Sequence, residues 1–260
     1  MSGSKPPTAP HRLIDLVSLS GSELAHFAGA VLVAGIVRGF AGFALSALVT
    51  ASLVSAIPPV ELIPVCWFME LAASLLMTRG SVADADRSAA LRLVLGGVLG
   101  TPLGLLLTTT VNATVSKLAA LGTLGVLAFL QLLRVRWAWL ATDRGTLVTG
   151  FVGGVVTGIA SIGGMVVALF VLARDAPPRQ MRATLVHYLL LGSIPSFVYL
   201  LAFGVLTEQA AARALVFVPV ALLGVVIGRL FFRPALEQFY RRFCLWLLLF
   251  LVVVGLLRLA

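Results

Sequence analysis

Arg38 is an ionisable residue in the middle of a long apolar segment, next to two glycines, Gly39 and Gly42. A charge in the hydrocarbon core of a membrane costs about 2.5–3.5 kcal/mol or more, so it is expected to face a cavity or a partner. A helix interrupted at these glycines would offer unpaired backbone N–H groups, which suit an anion. The sequence predicts substrate binding by Arg38, Gly39 and Gly42. A structural salt bridge, or a hairpin tip that reaches water, is the alternative for Arg38.

A second cluster of small residues lies in the second half of the chain, at Ser161, Gly163 and Gly164. Glycine within a helix costs about 1 kcal/mol relative to alanine and permits a break. We expect these three residues to complete the substrate site from the other half. Close packing of helices through small residues is the alternative.

Two further ionisable residues are candidates for coupling transport to protons, namely Glu70 and His187. Glu70 lies near the middle of an apolar segment, where it could carry a proton or form a salt bridge with Arg38. His187 could titrate near neutral pH, or it could be a core histidine with its hydrogen bonds satisfied.

Enzyme motifs are absent from the sequence, which contains no HExxH, no GxSxG and no GxxxxGK[ST]. The histidines are far apart and show no metal-ligand spacing, and Cys66 and Cys244 both lie in apolar segments. We therefore expect no enzyme, no cofactor and no metal site.

Composition places these residues in a membrane protein. Of the 260 residues, 60% are hydrophobic and only 11% are charged, whereas soluble domains are about 25% charged. Eight apolar segments follow one another, most of them long enough to cross a bilayer as a helix: 24–56, 60–78, 88–110, 115–134, 146–173, 183–206, 210–231 and 239–258. The prediction is an all-α polytopic membrane protein. The net charge of +9 comes largely from basic residues at segment ends, which indicates contact with lipid rather than with nucleic acid.

The chain also repeats itself. Residues 34–41 align with 153–160 at an offset of 119, and the same offset places Pro58-Pro59 on Pro177-Pro178. Residues 100–104 align with 224–228 at an offset of 124. We interpret the chain as one membrane domain, with an N-terminal extension (1–23) and two transmembrane repeats (24–134 and 146–258). Repeated halves are typical of secondary transporters.

The first segment of each repeat, 24–56 and 146–173, is too long for one untilted span and too short for two. If both cross the membrane fully, Lys and Arg are divided almost evenly between the two sides. If both are re-entrant hairpins, most of them lie on one side, as the positive-inside rule requires. A hairpin in 146–173 alone separates the charges still further but breaks the repeat. We favour two hairpins, hence inverted repeats with both termini outside.

The motifs resemble those of the sulfite exporter TauE/SafE family. Residues 38–44 (Arg-Gly-Phe-Ala-Gly-Phe-Ala) and 58–61 (Pro-Pro-Val-Glu) are similar to its first repeat. Residues 158–164 (Gly-Ile-Ala-Ser-Ile-Gly-Gly), followed by Pro177-Pro178 and residues 181–184, are similar to its second. The resemblance covers about residues 24–258. It departs at Ala44, Leu45 and Met165, where the family's glycine clusters often continue. It implies export or uptake of small sulfur-containing anions such as sulfite, sulfonates or sulfoacetate.

The function predicted from the residues and the resemblance is secondary transport of such an anion across the cytoplasmic membrane, with proton coupling as an option. The partners expected are the anionic substrate and membrane lipid, and assembly into a homo-oligomer is left open. A passive anion channel is one alternative. A membrane scaffold or an intramembrane enzyme subunit is another.

Overall fold

The computed structural model describes residues 20–78, 84–135, 137–174, 177–231 and 237–259. Most of the predicted N-terminal extension, residues 1–19, lies outside these ranges. The described part consists of α-helices, a short 3-10 helix at Ala138–Ala141, and connecting turns, with no strand. The first five helices are α1 (Gly21–Ala41), α2 (Leu45–Leu53), α3 (Pro59–Thr78), α4 (Arg87–Thr110) and α5 (Ala113–Leu132). The next five are α6 (Asp143–Ala160), α7 (Gly163–Ala173), α8 (Pro178–Ala202), α9 (Glu208–Phe231) and α10 (Glu237–Leu259).

The helices have the length and surface of membrane spans. In the described ranges, seven are long and apolar enough to cross a bilayer: α1, α3, α4, α5, α8, α9 and α10. Large apolar side chains such as Leu99, Val126 and Leu230 are exposed on the outside of the bundle, where lipid would cover them. The prediction of an all-α polytopic membrane protein is confirmed.

Both long first segments are broken, as predicted. In the first, α1 ends at Gly42, whose φ of 79° places it in the left-handed region, where glycine carries no steric penalty. In the second, α6 ends at Ser161, which is also left-handed with a φ of 60°. These two residues are related by the offset of 119. Their N–H groups make the same contact, to Arg38 O in one case and to Thr157 O in the other.

Each break reverses the chain. At the second break, α6 begins beside the start of α4, because Asp143 forms an ion pair with Arg92. Arg174, the residue after α7, forms an ion pair with Asp86 at the same end of α4, at 2.7 Å. Thus α7 returns to the end of the bundle from which α6 came.

The first break follows the same course. Phe27 near the start of α1 contacts Phe217 of α9, and Arg213 near the start of α9 pairs with Glu61 at the start of α3. A short connection joins the end of α2 to the start of α3. Thus α2 also returns to the end of the bundle at which α1 began.

Glycines bring helices of the two halves into close contact, α1 against α9 and α6 against α4. A Cβ atom on Gly39 would lie 2.5 Å from Val225 O of α9. A Cβ atom on Gly158 would lie 2.4 Å from Thr101 O of α4. No side chain fits at such distances, so these helices pack backbone to backbone, as small residues permit in membranes.

Candidate functional site

Arg38 lies at the end of α1 and is fully buried, with 0% of its side chain exposed. Its Nη1 donates to Gly42 O at the break, and its Nη2 donates to the Ser74 hydroxyl of α3 at 3.0 Å. Its Nε lies 3.3 Å from Oε2 of Glu70, without the alignment of a hydrogen bond. The guanidinium therefore joins the first break to α3.

Glu70 connects Arg38 to the short helix after the break. Its Oε1 accepts hydrogen bonds from the Ser46 N–H at 3.2 Å and from the Ser46 hydroxyl at 2.9 Å. Ser46 lies in the first turn of α2, where backbone N–H groups have no partner within the helix. The carboxylate thus binds the positive end of the α2 dipole. About 14% of its side chain remains exposed.

The second break lacks such a carboxylate. Helix α7 begins at Gly163 after Ile162, and no side chain caps it. The break is fixed from outside instead: the Thr50 hydroxyl of α2 donates to Ala160 O at 3.2 Å, and the Thr108 hydroxyl of α4 donates to Gly158 O at 3.0 Å. The contact from Thr50 joins α2 to the end of α6, inside the bundle.

A cavity of about 60 Å³ lies beside the second break, between α3, α4, α6, α7 and α8. Glu70 lines it from the first half, and the second break lines it with Ser161, Gly163 and Gly164. The other residues around it are Trp67, Val94, Gly97, Val98, Thr101, Thr157, Tyr188, Leu189, Gly192, Ser193, Pro195 and Ser196. Hydroxyl groups and the first turn of α7 give an otherwise apolar cavity its hydrogen-bonding capacity.

The predicted site residues separate into two groups. Four of them line the cavity: Glu70, Ser161, Gly163 and Gly164. Arg38, Gly39 and Gly42 are not among its lining residues. Gly39 packs against α9, and its carbonyl accepts a hydrogen bond from Arg182. A Cβ on Gly42 would lie 2.8 Å from Cγ of Arg182.

The second coupling candidate, His187, also lies away from the cavity lining. Its Nδ1 is 2.9 Å from Ala183 O, one turn earlier in α8.

Several polar residues of the cavity have no distinct signal in the sequence, because an uncharged hydroxyl in an apolar helix is common. The repeat would have revealed two of them. Thr157 corresponds to Arg38, and Ser193 corresponds to Ser74, at the offset of 119. A search of the second half for counterparts of the residues around Arg38 would therefore have found them.

A bundle of long apolar helices, with two broken segments and a small, mostly apolar cavity beside the second break, is the architecture of a multi-pass membrane protein. The family model for the sulfite exporter TauE/SafE matches residues 27–255, most of the chain. The chain belongs to this family, whose members are membrane transporters and not enzymes. No curated protein and no solved structure matches it.

Proposed function

We propose that this protein is a secondary transporter that moves a small sulfur-containing anion, of the sulfite, sulfonate or sulfoacetate type, across the cytoplasmic membrane. The observation that carries the proposal is the cavity between the second break and Glu70. It is small, it lies inside the bundle, and it presents hydroxyl groups and a helix start to whatever occupies it. The proposed substrate site consists of Ser161, Gly163 and Gly164, with Thr157 and Ser193 added from the cavity lining.

The chemistry of this site suits an oxyanion. The first N–H groups of a helix are unpaired and lie at the positive end of its dipole, so they favour a negative group. The Ser161 hydroxyl can donate to a further oxygen. The Thr157 and Ser193 hydroxyls, which in this structure donate to Gly153 O and Leu190 O, would turn from those carbonyls to do the same. An interior of low polarity strengthens these contacts relative to water.

Arg38, Gly39 and Gly42 support the site from the first half. Arg38 holds Glu70 and Gly42 in place, and Gly39 lets α1 approach α9. Arg38 therefore acts on the anion through its charge and through Glu70, rather than by a direct hydrogen bond.

Glu70 is the residue proposed to couple the anion to a proton. It lies between Arg38 and the cavity, and its carboxylate would repel an anion there. A proton on Glu70 removes that repulsion and leaves the charge of Arg38 uncompensated beside the anion. Arg38 forms an ion pair with Glu70, and Cys66 lies one turn before Glu70 on α3. This arrangement favours binding of anion and proton together. His187 has no comparable position and is retained only as a secondary candidate.

The helix packing supports the inverted repeat that secondary transporters use for alternating access. Helix α1 packs on α9 through glycines, and α6 packs on α4 in the same way. The two first segments turn back from opposite ends of the bundle, since α1 begins near the start of α3 and α6 begins near the start of α4. When one half is inverted and superposed on the other, α1 corresponds to α6 and α9 corresponds to α4, so the two packed pairs are equivalent.

The proposal is tested by ligand-induced thermal stabilisation of the purified protein with sulfite, sulfoacetate, taurine, thiosulfate and sulfate. A ligand that binds only the folded state must raise the unfolding temperature. Gly192→Leu should abolish the effect, because Gly192 lines the cavity and a Cβ there meets nothing within 4 Å. The matched control is Gly122→Leu on α5, which also has open space but lies outside the cavity. Stabilisation by no anion, or equal stabilisation of both variants, would contradict the proposal.

Transport itself distinguishes a transporter from a passive channel. In proteoliposomes loaded with excess unlabelled anion, a transporter should transiently accumulate labelled anion above its outside concentration, whereas through a channel the label only equilibrates. With an inward proton gradient, wild-type protein should accumulate the anion. Glu70→Gln is destabilised by the loss of the ion pair, so the folded fraction is purified first; that fraction should bind the anion but lose the response to the gradient. If Glu70→Gln still accumulates anion in response to the gradient, Glu70 does not carry the coupled proton.

A further inference from the structure

The first half of the chain holds an anion of its own at a helix start. The Glu70 carboxylate accepts hydrogen bonds from both the backbone and the hydroxyl of Ser46, in the first turn of α2. Arg38 and Ser74 complete the surroundings from α1 and α3. The start of α2 therefore binds a carboxylate that the chain itself supplies.

The second half contains the same arrangement without the carboxylate. At the offset of 119, Leu189 corresponds to Glu70, and it occupies the matching place: its Cδ2 lies 3.5 Å from the Cβ position of Gly164, in the first turn of α7. Thr157 stands where the first half has Arg38, and Ser193 repeats Ser74. The start of α7 has no side-chain cap. The cavity lies here, and it is lined by Leu189, Thr157, Ser193 and Gly164.

The two halves differ in side-chain size and charge at these corresponding positions. In the first half, a long guanidinium and a carboxylate fill the space between α1, α2 and α3. In the second half, a threonine and an apolar leucine occupy the corresponding positions, and they neither fill the space nor neutralise the helix start.

We infer that the anionic group of the substrate takes, at the start of α7, the place that the Glu70 carboxylate takes at the start of α2. This inference rests on the proposed function and specifies its site. The ligand is an oxyanion headgroup with at least two terminal oxygens, such as a sulfonate, sulfite or carboxylate. One oxygen faces the N–H groups of Gly163 and Gly164, and another faces Thr157 and Ser193, whose hydroxyls turn from Gly153 O and Leu190 O to donate to it. One anion binds per chain, because the first half has already satisfied its own helix start.

The inference is tested by giving the second half the carboxylate of the first. In Leu189→Glu, the new carboxylate should bind the start of α7 and exclude the substrate. Leu189→Gln is the matched control, since it has the same shape without the charge. Calorimetry on the purified variants, with the anion that gives the largest thermal shift for wild type, should show at least tenfold weaker binding for Glu than for Gln. Lowering the pH should restore binding to Leu189→Glu, because a protonated carboxyl no longer competes as an anion.

The outcomes separate the inference from the proposed function. If wild type binds no anion at all, the proposed function fails. If wild type binds and Leu189→Glu binds equally well, the anion lies elsewhere and the inference fails, although the function stands. If Leu189→Glu does not fold, the smaller pair Leu189→Asp and Leu189→Asn provides the same comparison at the same position without filling the cavity. Equal binding by that second pair would also overturn the inference.

Discussion

A buried ion pair is the most unusual feature of this protein at the scale of single residues. Removing two charges from water costs several kcal/mol per ion, and their mutual attraction compensates only if further hydrogen bonds are made. Arg38 and Glu70 make such bonds, to Gly42, Ser74 and Ser46. Arg38 therefore binds the residue at the break, and Glu70 binds the start of the helix that follows it. Without its partner, either residue would be a buried charge with no compensating charge.

Arg38→Met and Glu70→Gln should each destabilise the protein strongly, by about 3–5 kcal/mol, because each leaves the other charge unpaired. The double variant should lose less than the sum of the two, with a coupling energy of about 0.5–3 kcal/mol. The measurement is a double-mutant cycle from unfolding in detergent.

The control for this cycle is the pair Arg213 and Glu61, in which Glu61 is 41% exposed. Solvent screens such a pair, so its coupling energy should be smaller. Additive effects for Arg38 and Glu70 would show that the two charges do not stabilise each other.

The cavity residues that could be predicted from the sequence are those whose presence in an apolar helix costs free energy. A buried charge or a glycine cluster stands out, so Glu70, Ser161, Gly163 and Gly164 were found from the sequence. The sequence indicates that the Arg38 charge needs a compensating group, but it does not show whether that group belongs to a ligand or to the protein. Thr157 and Ser193 were missed, because hydroxyls occur throughout apolar helices and gain significance only from their neighbours in space.

At the scale of helices, glycine spacing determines how closely the two halves pack. A Cβ on Gly35 would lie 2.5 Å from Ala221 O, whereas a Cβ on Gly29, on the same helix, meets nothing within 4 Å. The breaks in both long segments were predictable from their glycines. Which helices pair was not predictable, because several helices carry glycines at similar spacing and the sequence does not show which of them face each other.

Gly35→Ala should destabilise the protein by about 1–3 kcal/mol, because the methyl group forces α1 away from α9. Gly29→Ala is the control, and it should be neutral or stabilising by up to about 1 kcal/mol, since alanine is the better helix former. Unfolding temperatures of the two variants in the same detergent check the prediction. Equal effects would mean that the interface between α1 and α9 is loose.

The start of α4 and the end of α7 are joined by Asp86 and Arg174. Burial alone would raise the pKa of the Asp86 carboxyl, but hydrogen bonds from the Ala89 N–H and the Ser88 hydroxyl, together with Arg174, hold that pKa below its ordinary value. Because the folded state lowers this pKa, ionised Asp86 stabilises the fold above its ordinary pKa. That stabilisation is lost as the pH falls through the lowered value.

Asp86→Asn should therefore lower the unfolding temperature at neutral pH, by an amount that shrinks towards zero in acid. Asparagine also caps helices well, so the loss reports mainly the charge. Asp143→Asn, which alters the more exposed pair with Arg92, should have a smaller effect because water screens it. A difference for Asp86→Asn that does not change with pH would argue against an electrostatic origin.

At the scale of the whole molecule, basic residues concentrate at one end of the bundle. Arg92 and Arg174 lie there through their pairs at the start of α4, and Arg229 lies at the end of α3, where it donates to Leu76 O. The opposite end carries Arg213 and Lys117, the latter bonded to Ser55 O after α2. The positive-inside rule assigns the more basic end to the cytoplasm.

We therefore expect the loops at Asp84 and Arg144 to be cytoplasmic, and the start of α9 and both chain termini to lie outside. In a background with Cys66 and Cys244 replaced, Glu208→Cys should react with an impermeant thiol reagent in intact cells. Arg144→Cys and Asp84→Cys should react only after the membrane is permeabilised. All three positions are exposed on the protein, so failure to react in intact cells reports the side of the membrane rather than burial.

Labelling of Arg144→Cys in intact cells, without labelling of Glu208→Cys, would reverse the orientation. Labelling of all three in intact cells would contradict the arrangement of two re-entrant hairpins and six crossings.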